Sequence, residues 1–281
     1  MKKRILAALL VFVALLTGCN RKETPGQWPS QKIEIDVCYT AGGTADTVAR
    51  QLSALMSQQL STTFNLVNVT GGSGSIAGQQ VYAAAHDGYT WLGDVAHTVS
   101  GWRTLGYADL GWEDFYGFYA ASSPYVLFVS GNSPYQTAQQ LFDAMRGDPS
   151  MKWGNAGLGS INQLTGSLML EKLGLKGNSV PYDGGRSAAI KVVAGEVTWS
   201  WCGLSDILDL AQSGDIRILG ICDSSPREID CAKGNYTVPS LLDDYPELSD
   251  LQGLLYWGFR VSRDTPADAV AKIRDAFQST V

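Results

Sequence analysis

Tyr39-Thr40-Ala41-Gly42-Gly43-Thr44-Ala45-Asp46 joins two different hydrophobic rhythms. Ahead of it, Ile33 to Tyr39 alternates with the period of a strand; behind it, Val48, Leu52, Leu55, Met56 and Leu60 share one face of a helix. The stretch is therefore a strand, a glycine turn and a helix start, the unit from which α/β folds are assembled. Gly42 and Gly43 let the backbone turn with no Cβ in the way. The first N–H groups of the helix then point, unpaired, into the space above the strand. Such a turn favours an anion, expected here to be the carboxylate of a small organic acid. The same residues would also serve as a plain strand-to-helix connection, since glycine is a common turn residue.

The beginning of the chain bears on where it works. Lys2, Lys3 and Arg4 precede an apolar run from Ile5 to Leu16, too short for a comfortable membrane span, and Leu16-Thr17-Gly18-Cys19 closes it. Residues 1–18 resemble a bacterial lipoprotein signal, which implies cleavage before Cys19 and acylation of that cysteine, a stable membrane anchor. Residues 19–27 lack a periodic apolar pattern and read as a tether, so the folded body is expected to begin near Trp28. The expected location is the periplasm or the outer face of the cell membrane, held there by lipid.

The chain carries 21 Lys+Arg against 27 Asp+Glu, a net charge of -6; without Lys2, Lys3 and Arg4 the balance is 18 against 27, or -9. So acidic a body is a poor partner for nucleic acid, whose phosphates demand a basic surface. An anionic ligand would have to be drawn by local N–H groups and helix ends, not by the global field. At 45% hydrophobic residues the mature chain has ample material for a large core. With only His86 and His97 and no CxxC spacing, no metal site is expected. Cys222 and Cys231 bracket the turn-rich Asp223-Ser224-Ser225-Pro226-Arg227, where a disulfide would staple an exposed excursion. Cys38 and Cys202 each end an apolar run and read as small buried residues.

Phe64 to Val69 alternates as a second strand and leads into Gly71-Gly72-Ser73-Gly74-Ser75-Ile76-Ala77-Gly78. Gly72 to Ala77 fits a GxGxxA pattern, and Asp94 ends the next strand at roughly the distance of a ribose-binding acid. A dinucleotide-dependent oxidoreductase is thus one competing reading. Export away from cytoplasmic cofactors argues against it, and the glycines have another use in bringing a second loop close to the first; no cofactor is expected. A secreted hydrolase is another competitor, but no GxSxG elbow is present, since Ser75 occupies the final glycine position. His97 follows a strand and would either face a ligand or pack among Trp102, Trp112 and Tyr116. Tyr125 to Val129 reads as a short strand, and Ser133 to Arg146 as a helix opened by Ser133-Pro134 and closed by Gly147.

The opening arrangement then recurs. Met151 to Asn155 approaches Ala156-Gly157-Leu158-Gly159-Ser160-Ile161-Asn162-Gln163, after which Leu164, Leu168 and Leu175 mark a helix. Two donor loops on two units would form a pincer, although Ser160 or Asn162 would equally serve as an ordinary cap.

The ordered set of Trp28-Pro29-Ser30-Gln31-Lys32-Ile33, Tyr39 to Asp46, Gly71 to Gly78, Asp87-Gly88-Tyr89-Thr90, Gly157-Leu158-Gly159-Ser160, Val180-Pro181-Tyr182-Asp183-Gly184, Ala194-Gly195-Glu196-Val197, Val238-Pro239-Ser240-Leu241 and Tyr256-Trp257-Gly258-Phe259 resembles the extracytoplasmic solute receptors of tripartite tricarboxylate transporters, the TctC or Bug family. The resemblance implies an α/β periplasmic-binding-protein type II fold. Its two lobes are expected at residues 28–123 plus 238–281 and at residues 124–237, with the ligand cleft between them. It further implies a receptor without enzymatic activity, acting as a monomer, that captures a small carboxylate by lobe closure and delivers it to the integral membrane permease subunits. A ligand sensor for a signalling partner on the same fold is the alternative. The implied ligand contacts are Tyr39, Thr40, Ala41, Gly42, Gly43, Thr44 and Asp46 on one lobe, and Gly159, Ser160, Ile161 and Asn162 on the other.

This chain departs from its relatives at several positions. They commonly carry Pro-Phe at Cys38-Tyr39, histidine at Gln163, lysine at Asp183, an aspartate near Cys202, and further helical sequence beyond Val281. The distal cleft is therefore expected to be altered. Arg186 would pair with a second carboxylate there or lie solvated. Cys202 belongs to the same wall, and Trp199 and Trp201 would suit an apolar ligand tail if they face inward.

Overall fold

The computed structural model describes residues 27–231 and 234–281. The apolar run before Cys19, Cys19 itself and nearly all of the tether lie outside the described residues. In chain order the strands are β1 (Ile33–Val37), β2 (Phe64–Asn68), β3 (Thr90–Val95), β4 (Phe115–Ser130), β5 (Lys152–Asn155), β6 (Asn178–Pro181), β7 (Trp199–Gly203), β8 (Ile216–Ile221), β9 (Arg227–Ile229), β10 (Tyr236–Val238) and β11 (Leu254–Ser262). The helices are α1 (Thr44–Leu60), α2 (Ser75–Ala83), α3 (Ala138–Gly147), α4 (Ile161–Lys172), α5 (Gly185–Val193), α6 (Leu208–Ser213), α7 (Leu241–Asp244) and α8 (Ala267–Gln278). Among the described residues, no helix is long and apolar enough to cross a membrane.

The alternation that marks Ile33, Ile35 and Val37 buries all three in β1. β1 pairs in parallel with β2 on one side and β3 on the other, each strand reached by a helical crossover. β11 returns antiparallel beside β3 and pairs along its length with the first half of β4. Past Pro124 the same strand β4 leaves this sheet and pairs instead with β7 and β8, while β5 joins β7 and β6 in parallel. Two half-sheets result, β2-β1-β3-β11-β4 and β8-β4-β7-β5-β6, with β4 common to both. This is a two-lobe α/β architecture.

Helices cover both faces of each half. Ala45, Ala49, Leu52 and Met56 bury the inner stripe of α1 against β1, β3 and β11. On the opposite face Ala77 and Val81 of α2 meet Leu92 and Trp102. In the second half, α3 and α4 pack on the face formed by Leu127, Trp153, Trp199 and Trp201, and Ala189 and Val192 of α5 pack on the face with Val126 and Phe128. The segment after β10 stays on the second half: Tyr245 packs edge-on against Phe142, and its hydroxyl donates to Gln139 at 2.8 Å.

Several expectations change. β4 is 16 residues long, not a short strand from Tyr125, because Phe115 to Ser123 finds a full-length partner in β11. The helix expected from Ser133 begins at Ala138, since Ser133 is spent on a turn and Thr137 is the residue that accepts the Gln140 N–H. Cys222 and Cys231 are free thiols. Cys222, just past β8, lies against the Leu248 carbonyl and Cys231 against the Ala211 carbonyl, in different core clusters, so no bridge forms. Trp199 and Trp201 do not line a cleft: Trp199 stacks on Trp153 and Trp201 on Tyr125, all within the core.

Asp94 is not a ribose ligand here. It is fully buried, and its Oδ2 accepts from Arg260 Nε at 2.6 Å, fastening β3 to β11. The Arg260 guanidinium also donates to the Ala96 carbonyl and lies 4.5 Å from the Trp112 ring. Burial pushes the Asp94 carboxyl up to about 6 against the pull of Arg260. Removing one member of a buried pair strands the other charge. Asp94→Ala should therefore cost about 3–5 kcal/mol in urea unfolding, and a loss under about 1 kcal/mol would contradict this role.

Candidate functional site

The turn after β1 is held from below. Gly42 adopts φ +77°, the left-handed region that favours glycine. Its N–H donates to Asp46 Oδ2 at 3.0 Å, and the same carboxylate receives Arg50 Nε at 3.0 Å, Arg50 Nη2 at 2.8 Å and Asn68 Nδ2 at 3.0 Å. Asn68 Nδ2 also donates to the Tyr39 carbonyl at 2.9 Å, tying the turn to β2. Burial alone would raise Asp46, but these donors hold it below its ordinary value. Asp46 is thus a strut beneath the turn and not part of the cavity wall.

Gly43 precedes α1 and has no side chain with which to cap it, so the helix start is left for other acceptors. The acceptor present is a carboxylate from the other half of the molecule. Asp206, in the short 3-10 turn after β7, receives the Thr44 N–H at 3.0 Å and the Thr44 hydroxyl at 2.7 Å, both on Oδ1. Thr44 Oγ1 also lies 3.0 Å from Ser205 Oγ. A second pair of bonds crosses nearby, from the Thr40 N–H (3.1 Å) and hydroxyl (2.5 Å) to the Asp183 carbonyl. Ser73, in the second glycine loop, reaches over to the Leu158 carbonyl at 2.7 Å. The halves are therefore closed upon each other.

Between them lies a cavity of about 20 Å³, enough for a single water. One half contributes Tyr39, Thr40, Gly43, Thr44, Ala45, Val95, Leu255 and Trp257; the other contributes Ala156, Asn162, Gly184, Gly185, Arg186 and Asp206. Helix α5 starts at this cavity as α1 does, with a glycine in the cap position and no side-chain cap. Two uncapped helix N-termini thus face one space, and that is where fixed partial positive charge accumulates. An adjoining hollow of about 340 Å³ runs outward past Tyr39 and Ala156 between Gly71–Gly74 and Pro181–Asp183.

Of the residues expected to touch a ligand, Tyr39, Thr40, Gly43, Thr44, Asn162 and Arg186 line this cavity. Ala41 and Gly42 are exposed on the outside of the turn. Gly159, Ser160 and Ile161 stand back from it: Ser160 caps α4 by accepting the Gln163 N–H, while Gln163 Oε1 accepts the Gly159 N–H at 2.5 Å. Cys202 lies behind Gly185, where any Cβ would come within 3.0 Å of the Cys202 Cβ. Burial pushes the Cys202 thiol well up, so it stays protonated. Arg186 is engaged at both ends of its fork, with Nη1 and Nη2 on the Asp209 carboxylate and Nη1 also 3.3 Å from the Asp206 carbonyl. Sequence reasoning missed Asp206, Gly184, Gly185 and Trp257. Only the second glycine doublet before a helix offered a signal, repeating Gly42-Gly43. His97 is partly buried; desolvation, then Arg260, pulls its pKa down and keeps the ring neutral. Among the described residues no cluster of His, Cys, Asp and Glu is arranged to hold a metal.

Two lobes joined by a shared strand, with a cavity at their interface, are the fold of the solved periplasmic binding protein BugD, to which this chain is similar at TM-score 0.79 and 22% identity over 90% of this chain and 83% of that one. Residues 48–281 match the profile described as "Tripartite tricarboxylate transporter family receptor", and the chain belongs to that family. It is 29% identical over 97% of its length to the UPF0065 protein in the tcbD-tcbE intergenic region of Pseudomonas sp. strain P51, covering 80% of that protein. In fold it is similar to MatC from Rhodopseudomonas palustris, solved with malate, at TM-score 0.78 and 22% identity over 90% of this chain and 85% of that one. An R. palustris protein solved with adipate aligns at TM-score 0.77 and 24% identity over 89% and 83%.

The strut under the turn gives a pH signature. A carboxyl held below its ordinary value of 3.8 contributes stability above that value and loses it as pH falls through the lowered one. The melting-temperature gap between the wild type and Asp46→Asn should be widest near neutral pH and shrink in acid. A gap that does not change with pH would contradict the strut.

Proposed function

We propose that this chain is an extracytoplasmic receptor that binds a small organic carboxylate between its lobes without chemical conversion and hands it to membrane permease subunits. The observation that carries this reading is the Asp206 carboxylate on the N–H and O–H of Thr44. The start of α1, with glycine in its cap position, holds a carboxylate from the other lobe, as the field and the donors of a helix N-terminus favour. A ligand carboxylate entering the open cleft would take the same donors, and closure would surround it with Thr40, Gly43, Gly185 and Asn162. Tyr39, Ala41, Gly42 and Asp46 shape that turn, and Gly159, Ser160, Ile161 and Cys202 back the opposite wall. The relatives solved with malate and adipate support this ligand class.

In this reading the hinge runs through β4 near Ser123 and through the chain entering β11. Lobe one is then residues 28–123 with the chain from about 252 on. Residues 238–251, grouped with lobe one on sequence grounds, are assigned to lobe two because Tyr245 packs on Phe142 there. Cys19 carries the lipid that keeps the body at the outer face of the membrane, within reach of the permease.

The soluble body beginning after Cys19 should melt higher in the presence of its carboxylate. Ligand at a hundred times its Kd adds about 2.7 kcal/mol, or on the order of 5–10 °C for a chain this size. Gly43→Asp sets a negative side chain beside Thr44 and Asp206, since a Cβ at Gly43 would lie 3.8 Å from Asp206 Oδ1. That variant should stay folded and lose the shift entirely. A folded Gly43→Asp that keeps it would contradict the site.

A further inference from the structure

Asp206 does more than accept from Thr44 at the start of α1. Its side chain is buried, at 9% exposure, on the wall of the cavity. Oδ1 is occupied by Thr44, whereas Oδ2 makes no hydrogen bond among the described residues and lies against Gly185, 2.5 Å from where a Cβ would be. Among the described residues the one cationic side chain on the same wall, Arg186, already has its fork on Asp209 and is not available to neutralise a second acid. A ligand carboxylate that displaces Asp206 from Thr44 therefore finds itself beside a buried carboxylate in a space that holds about one water. Two carboxylates so placed cannot both stay ionised and unpaired, and a buried acceptor without a donor is costly.

Building on the carboxylate-receptor reading, we propose that Asp206 determines which acid is accepted: the ligand carries an N–H or O–H donor on the carbon next to its carboxylate, and Asp206 receives that donor. The ligand carboxylate takes the Thr44 N–H and hydroxyl, and the neighbouring ammonium or hydroxyl turns toward Asp206. An ammonium is favoured over a hydroxyl because it offsets the aspartate charge as well as filling its lone pairs. An acid with plain methylene at that carbon leaves Asp206 facing the ligand carboxylate with nothing between them. Sites built to meet a donor discriminate sharply against analogues that lack it. The same residue closes on Thr44 itself, which keeps the helix start satisfied.

The test is isothermal titration of the soluble body with succinate, malate and aspartate, which differ only at that carbon, and with glutarate, 2-hydroxyglutarate and glutamate as the longer set. The wild type should bind the amino or hydroxy acid of at least one set at least tenfold more tightly than its unsubstituted partner. Asp206→Asn, which keeps the shape and an acceptor for Thr44, should bring the members of that set within about threefold of one another, chiefly by improving the unsubstituted acid. Asp206→Ser takes its place if the Asn variant melts well below the wild type. Equal or better binding of the unsubstituted acid by the wild type would overturn the assignment, as would an unchanged preference in a folded variant. Binding of no carboxylate at all by the wild type would instead remove the receptor reading on which it rests.

Discussion

The start of α1 must find an anion, and much of the surrounding structure can be understood from that requirement. A helix whose cap residue is glycine leaves its first N–H groups for something else, and the aligned peptide dipoles favour negative charge there. The chain fixes this helix end in place with Asp46 below, bonded to Gly42, Arg50 and Asn68, and leaves the space above it for an acceptor from the other lobe. In the present closed form that acceptor is Asp206, whose bond to Thr44 spans 162 residues of sequence. Closure of the lobes and satisfaction of the helix end are therefore one event.

The net charge of -6 makes sense only against this local picture. The overall field repels an anion, and among the described residues the only basic side chain on the cavity wall, Arg186, is already paired. What remains attractive is short-ranged: two helix N-termini with glycine in the cap position, the hydroxyls of Thr40 and Thr44, and the Asn162 amide. Donors of this kind are strong when water is excluded and negligible at a distance. Selectivity then falls to the group that stands among them, and a carboxylate in that position rewards ligands that bring a donor of their own.

Much of this architecture was legible in the sequence because it is encoded locally. The change from period two to helical spacing across Tyr39 to Asp46, with a glycine pair at the junction, marks β1, the turn and α1 without reference to any other part of the chain. The repeat of glycines before α4 marked the second unit in the same way. What was hidden depends on partners far away. Phe115 to Ser123 becomes strand only because β11 lies beside it, and Asp206 sits in an unremarkable loop until α1 is brought against it. The alternation of Trp199 and Trp201 was real, but in a strand covered on both faces alternation does not say which face meets a ligand. The helix start at Thr137 instead of Ser133 is a choice between two equally good caps, made by a turn at Ser133.

The most direct measurement of the central claim is a nitrogen-15 chemical-shift titration of the soluble body with a carboxylate that raises its melting temperature. If the ligand replaces Asp206 at the start of α1 and also reaches the start of α5, the largest amide shifts will fall on Gly43 to Asp46 and on Gly185 to Ser187. Shifts confined to the far side of lobe two, around the hollow between Gln136 and Ser240, would contradict it.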